Sequence, residues 1–195
     1  MSLAGQFLYA LAWLSFGVGH SLLAGARRNR GALAVTGRFH RIAYNLIALV
    51  HLRMVLAFGR WLAAGSASFA LPAWLLWIGD AMVVGGLVLG LAALRSYRAA
   101  PFVGLAQLRG KSDDDEPLAL GGLHRWMRHS LYSASFLILW GLARSPLGLA
   151  TAIWASLYLV IGSRIEERRL IARYGEAYRT YRRTTPAFMP RMPQA

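Results

Sequence analysis

Long apolar stretches separated by short polar ones dominate the chain and predict membrane-spanning helices. Residues 3–24 form an almost unbroken apolar run. At 1.5 Å per residue, a helix of about 22 residues reaches about 33 Å, which is enough to cross the hydrocarbon core of a bilayer. Residues 42–62 and 71–94 are apolar over similar lengths. The pattern therefore predicts three long spans.

Two shorter apolar stretches follow, at residues 131–143 and 147–161. Ser145 and Pro146 lie between them, and such a pair is typical of a tight turn joining two antiparallel helices. We expect these stretches to form a helical hairpin whose outer ends extend beyond the membrane. The whole pattern predicts an all-α integral membrane protein with about five transmembrane helices, in a single domain over residues 1–195.

The C-terminal tail, residues 164–195, predicts one further helix outside the membrane. Apolar and aromatic residues recur there at helical spacing, as in a helix that packs on one face. Proline cannot continue a helix, so we expect this one to end before Pro186. The recurring residues are Leu170, Tyr174, Tyr178 and Tyr181.

The positive charges indicate how the predicted spans are oriented. The chain has 22 Lys+Arg against 8 Asp+Glu, a net charge of +14. Of the 22 basic residues, 19 lie in the first loop, the polar linker 95–130 and the C-terminal tail. Cytoplasmic loops carry an excess of Lys and Arg, so we expect the N-terminus outside and the C-terminus in the cytoplasm. Because these charges flank apolar stretches, membrane lipids are expected as partners, and nucleic acid is not.

Composition supports a membrane protein and excludes some chemistry. The chain is 56% apolar and 15% charged, whereas a soluble domain of this length exposes more charge. Cysteine is absent, which excludes a disulfide framework, a thiolate metal site and a cysteine nucleophile. No metal site is expected. The first basic residue is Arg27, so the N-terminus lacks the charged start of a signal peptide and the first span is expected to be retained. The Arg-rich and Ala-rich chain indicates a bacterial inner membrane.

Polar residues near the ends of the first two spans are the first candidates for chemistry. His20 lies about 6 Å inside one end of the first span, and Tyr44 and Asn45 lie about 3 to 5 Å inside the same end of the second. We therefore expect the three to meet. Polar groups within a membrane are costly unless they are paired or line a cavity. The cluster is either functional or a hydrogen-bonded link between the helices.

Two opposite charges are predicted at similar depth in the membrane. Arg53 lies in the second span and Asp80 in the third, and their distances from the span ends suggest an ion pair near the midplane. Such a pair is expected to fix the helix register, with His51 as a third member.

The densest group of polar residues lies at the two outer ends of the predicted hairpin. Glycines, histidines and a tyrosine lead into the fourth span, and Glu166 and Glu167 follow the fifth. Glycine lets a backbone approach a ligand closely, and a carboxylate can hold an ammonium group. Neighbouring helical residues point about 100° apart, so the two carboxylates do not face one ligand equally. The alternative is the solvated start of a helix, balanced by nearby arginines.

Read as a string, this part of the chain resembles the membrane methyltransferase superfamily that includes isoprenylcysteine carboxyl methyltransferases and phospholipid methyltransferases. The segments that carry this resemblance are Gly122-Leu123-His124, Arg128-His129-Ser130-Leu131-Tyr132, Glu166-Glu167 with Leu170, Tyr174-Gly175, Tyr178, Tyr181, Pro186 and Pro190. The N-terminal segments 19–24 and 41–45 resemble the NnrU and methanethiol S-methyltransferase branch.

The resemblance implies a methyltransferase that binds S-adenosyl-L-methionine at the hairpin ends, with Glu166 receiving the methionyl ammonium. His20 would accept a proton from the nucleophile. Arg41, Tyr44, Asn45 and Arg164 would face this acceptor. The other residues implied to bind the cofactor are Pro117, Leu118, Ala119, Gly122, His124, His129, Ser130, Leu131 and Tyr132.

The departures from the family pattern concern the acceptor. Ser130 replaces a motif proline, His124 replaces a tyrosine, and Gly162 stands where isoprenylcysteine enzymes have an arginine. A small or lipophilic nucleophile, with a thiol favoured, is therefore expected in place of a prenylated cysteine. Two alternatives are open. One is an NADPH-dependent membrane reductase related to sterol reductases, and the other is a non-catalytic regulatory membrane protein of the NnrU type.

Overall fold

A computed structural model describes residues 1–25, 39–96 and 117–190 of the chain. Within these ranges the structure consists of helices and connecting segments, without strands. The first predicted loop and most of the polar linker 95–130 lie outside the described residues. The helices are α1 (Leu3–Gly25), α2 (His40–Leu62), α3 (Ala73–Ser96), a 3₁₀ helix (Gly122–Arg125), α4 (Ser130–Gly141), α5 (Pro146–Tyr174) and α6 (Glu176–Thr184).

The chain is an all-α integral membrane protein. Among the described residues, three helices are long and apolar enough to cross a membrane, over Ile42–Leu62, Ala73–Arg95 and Pro146–Tyr174. Ser130–Gly141 is a shorter apolar helix. Large apolar side chains such as Val88 stand exposed on these helices, as expected where the surroundings are lipid.

Helix α5 is longer than the predicted fifth span. The predicted span 147–161 is only its first half, and the helix continues without a break to Tyr174. The reason is local, because no glycine or proline follows Gly162 until Gly175, where φ is +58°. Glu166 and Glu167 therefore lie inside a long helix, and the interpretation of this pair as the start of a helix is wrong.

The predicted tight turn between the two helices of the hairpin, α4 and α5, is confirmed. Helix α4 ends at Gly141 and α5 begins at Pro146. The Ser145 hydroxyl caps α5 by accepting a hydrogen bond from the backbone N–H of Gly148 at 3.0 Å. Proline is suited to the first helical position because its missing N–H would have no partner there. The turn thus follows directly from the Ser-Pro pair.

The described residues fall into two compact units, one up to residue 67 and the other formed by residues 68–96 and 117–190. The first contains α1 and α2. Its core includes an aromatic ladder along α1, in which Tyr9, Trp13 and Phe16 are buried. Successive rings meet edge to face, with centroids 6.3 and 5.9 Å apart. Buried aromatic side chains therefore form much of the core on the α1 side of this helix pair.

In the second unit, glycines bring α3 and α4 into close contact. A Cβ atom added at Gly141 would lie 2.5 Å from the carbonyl oxygen of Gly79. One added at Gly86 would lie 2.8 Å from the carbonyl oxygen of Ala134. Backbones can approach this closely only where side chains are absent, which is a common way to pack helices in membranes.

We expect Gly141→Ala to lower the free energy of unfolding by about 2 kcal/mol, because its methyl group would collide with backbone atoms of α3 that cannot move aside. Gly85→Ala is the matched control, since nothing lies within 4 Å of its added Cβ. Unfolding in mixed micelles, followed by circular dichroism, measures both. Equal stability of the two variants would contradict this packing.

An ion pair closes the end of this unit near the turn, with partners that differ from the prediction. Asp80 accepts a hydrogen bond from Nη2 of Arg144 at 2.6 Å, so its partner within this unit is Arg144, whereas the predicted partner Arg53 belongs to the other unit. The Arg144 guanidinium also donates to the carbonyl oxygen of Gly141 at 3.0 Å. Depth along a helix does not decide which neighbour a side chain faces.

Candidate functional site

The two outer ends of the α4–α5 hairpin meet through side chains. The Tyr132 hydroxyl, on the first turn of α4, donates to Oε2 of Glu166 at 3.1 Å. Nε2 of His129, the residue before α4, lies 3.1 Å from Oε1 of Glu167. The residues that the sequence predicted at the hairpin ends are therefore brought together in space.

The carboxylate of Glu167 is engaged in an ion pair with Arg128 within the protein. Its Oε1 atom accepts from Nε of Arg128 at 2.9 Å and lies 2.7 Å from Nη2 of the same guanidinium. The side chains of Arg128 and Glu167 are only 10% and 13% exposed. Nη1 of Arg182 lies 4.0 Å from the other carboxylate oxygen. Glu167 thus serves to hold the hairpin and has little capacity left for a ligand.

Glu166 differs from its neighbour because its carboxylate remains accessible. Its side chain is 48% exposed. Among the described residues its close polar partners are the Tyr132 hydroxyl and, at 3.7 Å, Nδ1 of His129. No arginine or lysine of the described ranges neutralises it. Glu166 is therefore the carboxylate of this pair that can accept a cationic group.

The start of α4 forms an aromatic wall beside Glu166. The rings of His129 and Tyr132 stack at 5.2 Å with an angle of 11° between their planes. Phe188 also packs against His129, with ring centroids 5.7 Å apart. His129 is buried, whereas Leu131 and Tyr132 are half-buried. The stack fixes the direction of the Tyr132 side chain and, through it, the hydrogen bond to Glu166.

Ser130 supplies a polar atom without a partner in this wall. The residue is completely buried, and its hydroxyl has no hydrogen-bond partner among residues 117–190 or the other described segments. A buried hydroxyl that lacks a partner costs free energy, so it is unusual in a region that serves packing alone. The serine therefore places a hydrogen-bonding group with free capacity at the start of α4.

The segment after α6 crosses back over the start of α4 and braces it. The backbone N–H of Arg128 donates to the carbonyl of Pro186 at 3.0 Å, and that of His129 donates to the carbonyl of Ala187 at 2.9 Å. The Ser133 hydroxyl donates to the carbonyl of Phe188 at 2.6 Å. This contact was not predicted from the sequence, in which Pro186 was expected to follow the end of a helix.

The Arg128 guanidinium joins this C-terminal segment to α5. Besides Glu167, it donates to the backbone carbonyl of Arg182 at 3.0 Å and to that of Thr185. One buried arginine therefore links α4, α5 and the end of α6. This link makes Arg128 the central structural residue of the site, a role that its place in the sequence motif alone does not reveal.

The 3₁₀ helix carries two further residues that are predicted to bind the cofactor, Gly122 and His124. Gly122 has a φ of +61°, a conformation that residues with side chains rarely adopt. His124 is buried, and burial lowers the pKa of its imidazole below the usual value of 6.5. Its backbone carbonyl accepts a hydrogen bond from Tyr181 at 2.6 Å, and burial raises the pKa of that tyrosine to about 12. His124 is therefore neutral at physiological pH.

The segment before the 3₁₀ helix is accessible. Pro117 and Ala119 are exposed, and Leu118 is half-buried. Arg164, which the sequence assigned to the acceptor, is exposed on α5. The roles of these four residues stay predictions.

The predicted meeting of His20 and Tyr44 in the first unit is confirmed. The Tyr44 hydroxyl is hydrogen-bonded to the His20 imidazole, and the two rings are 5.0 Å apart. Asn45 is half-buried nearby in sequence on α2. Arg41 also belongs to α2, but its side chain lies outside the described part of the chain.

His51 belongs to the same helix pair, and its predicted place beside Asp80, which lies in the other unit, stays a prediction. Its Nε2 atom lies 3.2 Å from the Ser15 hydroxyl oxygen, and its ring meets Phe16 edge to face at 5.5 Å. Phe16 also contacts the His20 ring, at 5.7 Å. Both histidines thus contact one buried phenylalanine.

Comparison with curated proteins reveals distant relatives that share one name. The chain is 29% identical over 69 residues to the methanethiol S-methyltransferase of Pseudomonas deceptionensis, which is 35% of this chain and 26% of that protein. The proteins of that name from Crocosphaera subtropica and Mycobacterium tuberculosis are 34% identical over 71 residues and 35% identical over 69 residues. These matches cover 34% and 35% of this chain and 27% and 28% of those proteins.

The matched segment spans about a quarter of the length of each of these relatives. No family profile matches the chain, and no solved structure does. The chain is therefore distantly related to proteins named as methyltransferases, by a resemblance confined to about a third of its length.

Proposed function

We propose that this chain is an S-adenosyl-L-methionine-dependent membrane methyltransferase that acts on a small or lipophilic nucleophile, with a thiol favoured. The observation that carries the proposal is the contrast between the two adjacent carboxylates. Glu167 is buried against Arg128, whereas Glu166 is 48% exposed and hydrogen-bonded by Tyr132. The name shared by the distant relatives supports the reaction class and the choice of a thiol.

The residues at the hairpin ends fit the chemical groups of this methyl donor. Its methionyl ammonium requires a carboxylate with free lone pairs, which Glu166 provides. Its adenosine requires an aromatic face and hydrogen-bonding atoms, which Tyr132 and the stacked His129 offer. The positive φ of Gly122 lets the backbone of the 3₁₀ helix approach a ligand. Ser130 and His124 would add neutral polar groups.

The remaining residues assigned to the donor are Pro117, Leu118, Ala119 and Leu131. Three of these are apolar side chains that are exposed or half-buried, and Pro117 has no backbone N–H. Surfaces of this kind exclude water from a ligand and leave its polar groups to a few directed hydrogen bonds.

The chemistry demands positioning more than acid–base strength. The bound sulfonium supplies a methyl group that is already activated toward nucleophiles. The protein has to hold donor and acceptor in line and exclude water. Tyr132 restrains the Glu166 carboxylate, and the Arg128–Glu167 pair restrains the start of α4 against α5. Rigid support of this kind keeps the binding carboxylate in one orientation.

A nucleophile that arrives protonated needs a group to accept its proton. We assign this role to His20, whose imidazole is held by the Tyr44 hydroxyl. With a thiol, the proton would pass to the imidazole, the new bond would form between the acceptor sulfur and the methyl carbon, and S-adenosylhomocysteine would leave. Arg41, Tyr44, Asn45 and Arg164 are proposed to face the acceptor.

The donor site is proposed to lie on the cytoplasmic side of a bacterial inner membrane, with the N-terminus outside. The support is the charge distribution, in which 19 of the 22 basic residues lie in the predicted cytoplasmic segments. This orientation would place Glu166 where S-adenosylmethionine is made.

A methyl-transfer assay tests the proposed reaction. The full-length protein in mild detergent would be incubated with S-adenosylmethionine labelled on its methyl group and with separate panels of thiols, amines and carboxylates. We expect label in the thiol products, with methanethiol among the substrates. Oxidation of NADPH in a parallel incubation, together with no transfer of label in the first, would favour a reductase. Donor binding without transfer to any panel would favour a regulatory protein.

A further inference from the structure

The face of α5 that carries Glu166 also carries arginines on the next turns. Residues three and seven positions further along a helix return to nearly the same face. For Glu166 these residues are Arg169 and Arg173, both of which are exposed. Arg168 lies on α5 about 160° away from Glu166 around the helix axis. This face of α5 therefore carries one negative charge followed by two positive charges.

Arg169 is the arginine of this face without a partner. Most of the neighbouring arginines have one: Arg128 and Arg182 contact Glu167, Arg179 and Arg183 contact Glu176, and Arg173 lies over the Tyr174 ring at 4.7 Å. Within the described ranges Arg169 takes part in no ion pair, even though Glu166 lies one turn before it. The Glu166 carboxylate and the Arg169 guanidinium are therefore both available to bind a ligand.

We propose that Arg169 binds the carboxylate of the methionyl part of the methyl donor, next to the ammonium held by Glu166. This inference rests on the proposed function and adds a specificity-determining residue to it. An α-amino acid carries its ammonium and carboxylate on one carbon, so it requires an acidic and a basic group close together. Side chains three positions apart on a helix have Cβ atoms about 5 to 6 Å apart, which suits this requirement.

The chemistry of arginine suits this role. A guanidinium presents a planar set of donors that matches a carboxylate with two parallel hydrogen bonds. Instead of pairing with each other, the exposed Glu166 would bind the ammonium of the amino acid and Arg169 would bind its carboxylate. The donor would thereby be distinguished from adenosine compounds that lack the carboxylate.

The test compares two ligands that differ only in this group. S-Adenosylhomocysteine and its decarboxylated analogue would be titrated against the full-length protein in mild detergent by isothermal calorimetry. We expect Arg169→Gln to weaken binding of S-adenosylhomocysteine by about tenfold, the size of a charge-assisted hydrogen bond at a partly exposed site, and to leave the analogue unchanged. Arg168→Gln is the matched control, expected to change neither affinity. Arg169→Lys should recover part of the loss because it keeps the charge.

The outcomes separate this inference from the proposed function. If Arg169→Gln binds S-adenosylhomocysteine as the natural protein does, or loses both ligands equally, the assignment of Arg169 is overturned while the donor site stands. If Arg168→Gln has the same effect as Arg169→Gln, the arginines act through general positive charge at a lipid surface, and the assignment is again overturned. If the natural protein binds neither ligand, the proposed function itself fails.

Discussion

Replacing Glu166 by glutamine is expected to weaken binding of S-adenosylhomocysteine by about 100-fold. The amide has the same shape and can still accept the hydrogen bond from Tyr132, so the local structure should persist. It lacks the negative charge, and its NH₂ group would face the methionyl ammonium. A hydrogen bond to a charged group contributes about 1.5 to 3 kcal/mol, and the upper part of this range agrees with a loss of this size.

Calorimetric titration of the full-length protein measures this loss. Glu176→Gln is the matched control, because Glu176 is also an exposed helical carboxylate but pairs with Arg179 and Arg183. The control should bind the ligand normally. Normal binding by Glu166→Gln would show that the carboxylate is not part of the donor site, whatever activity the protein has.

The second large effect is expected on stability, from the pair formed by Arg128 and Glu167. Arg128→Met would leave the carboxylate of Glu167 nearly buried with its main partner removed, and two backbone carbonyls would lose a donor. Breaking a largely buried pair from one side costs about 3 kcal/mol or more, because the remaining charge is desolvated without compensation. We expect the free energy of unfolding to fall by about this amount.

A double-mutant cycle distinguishes the pair from general damage to packing. Glu167→Gln alone should also destabilise the protein, and Arg128→Met combined with Glu167→Gln should be less destabilised than the sum of the two single variants, by about 1.5 kcal/mol. Unfolding in mixed micelles gives all four values. Simple additivity of the two substitutions would contradict the role of this pair.

Features encoded by nearby residues could be predicted from the sequence. The turn at Ser145 and Pro146 follows from a capping hydroxyl and a proline, both of which act within one helical turn. The long apolar runs predict membrane-spanning helices because the length and hydropathy of a span are set by consecutive residues. The turn also makes α4 and α5 antiparallel neighbours, so residues 129–132 are expected near the outer part of α5, although α4 has 12 residues and α5 has 29.

Features that depend on which way a side chain faces could not be predicted. Depth along the helices suggested Arg53 as the partner of Asp80, but within its own unit Asp80 binds Arg144, in the turn after α4. The return of residues 186–188 over the start of α4 is a contact between segments more than 50 positions apart, and no periodicity signals it. Spacing on a helix likewise shows that Glu166 and Glu167 differ in direction, but only packing against Arg128 shows which one is buried.

The most direct test is native mass spectrometry of the full-length protein, released from mild detergent and titrated with S-adenosylhomocysteine or NADPH. We predict one bound S-adenosylhomocysteine per chain, which Glu166→Gln removes and Glu176→Gln retains. Binding of NADPH in its place, or binding of S-adenosylhomocysteine that survives the loss of the Glu166 charge, would contradict a methyl-donor site at the ends of the α4–α5 hairpin.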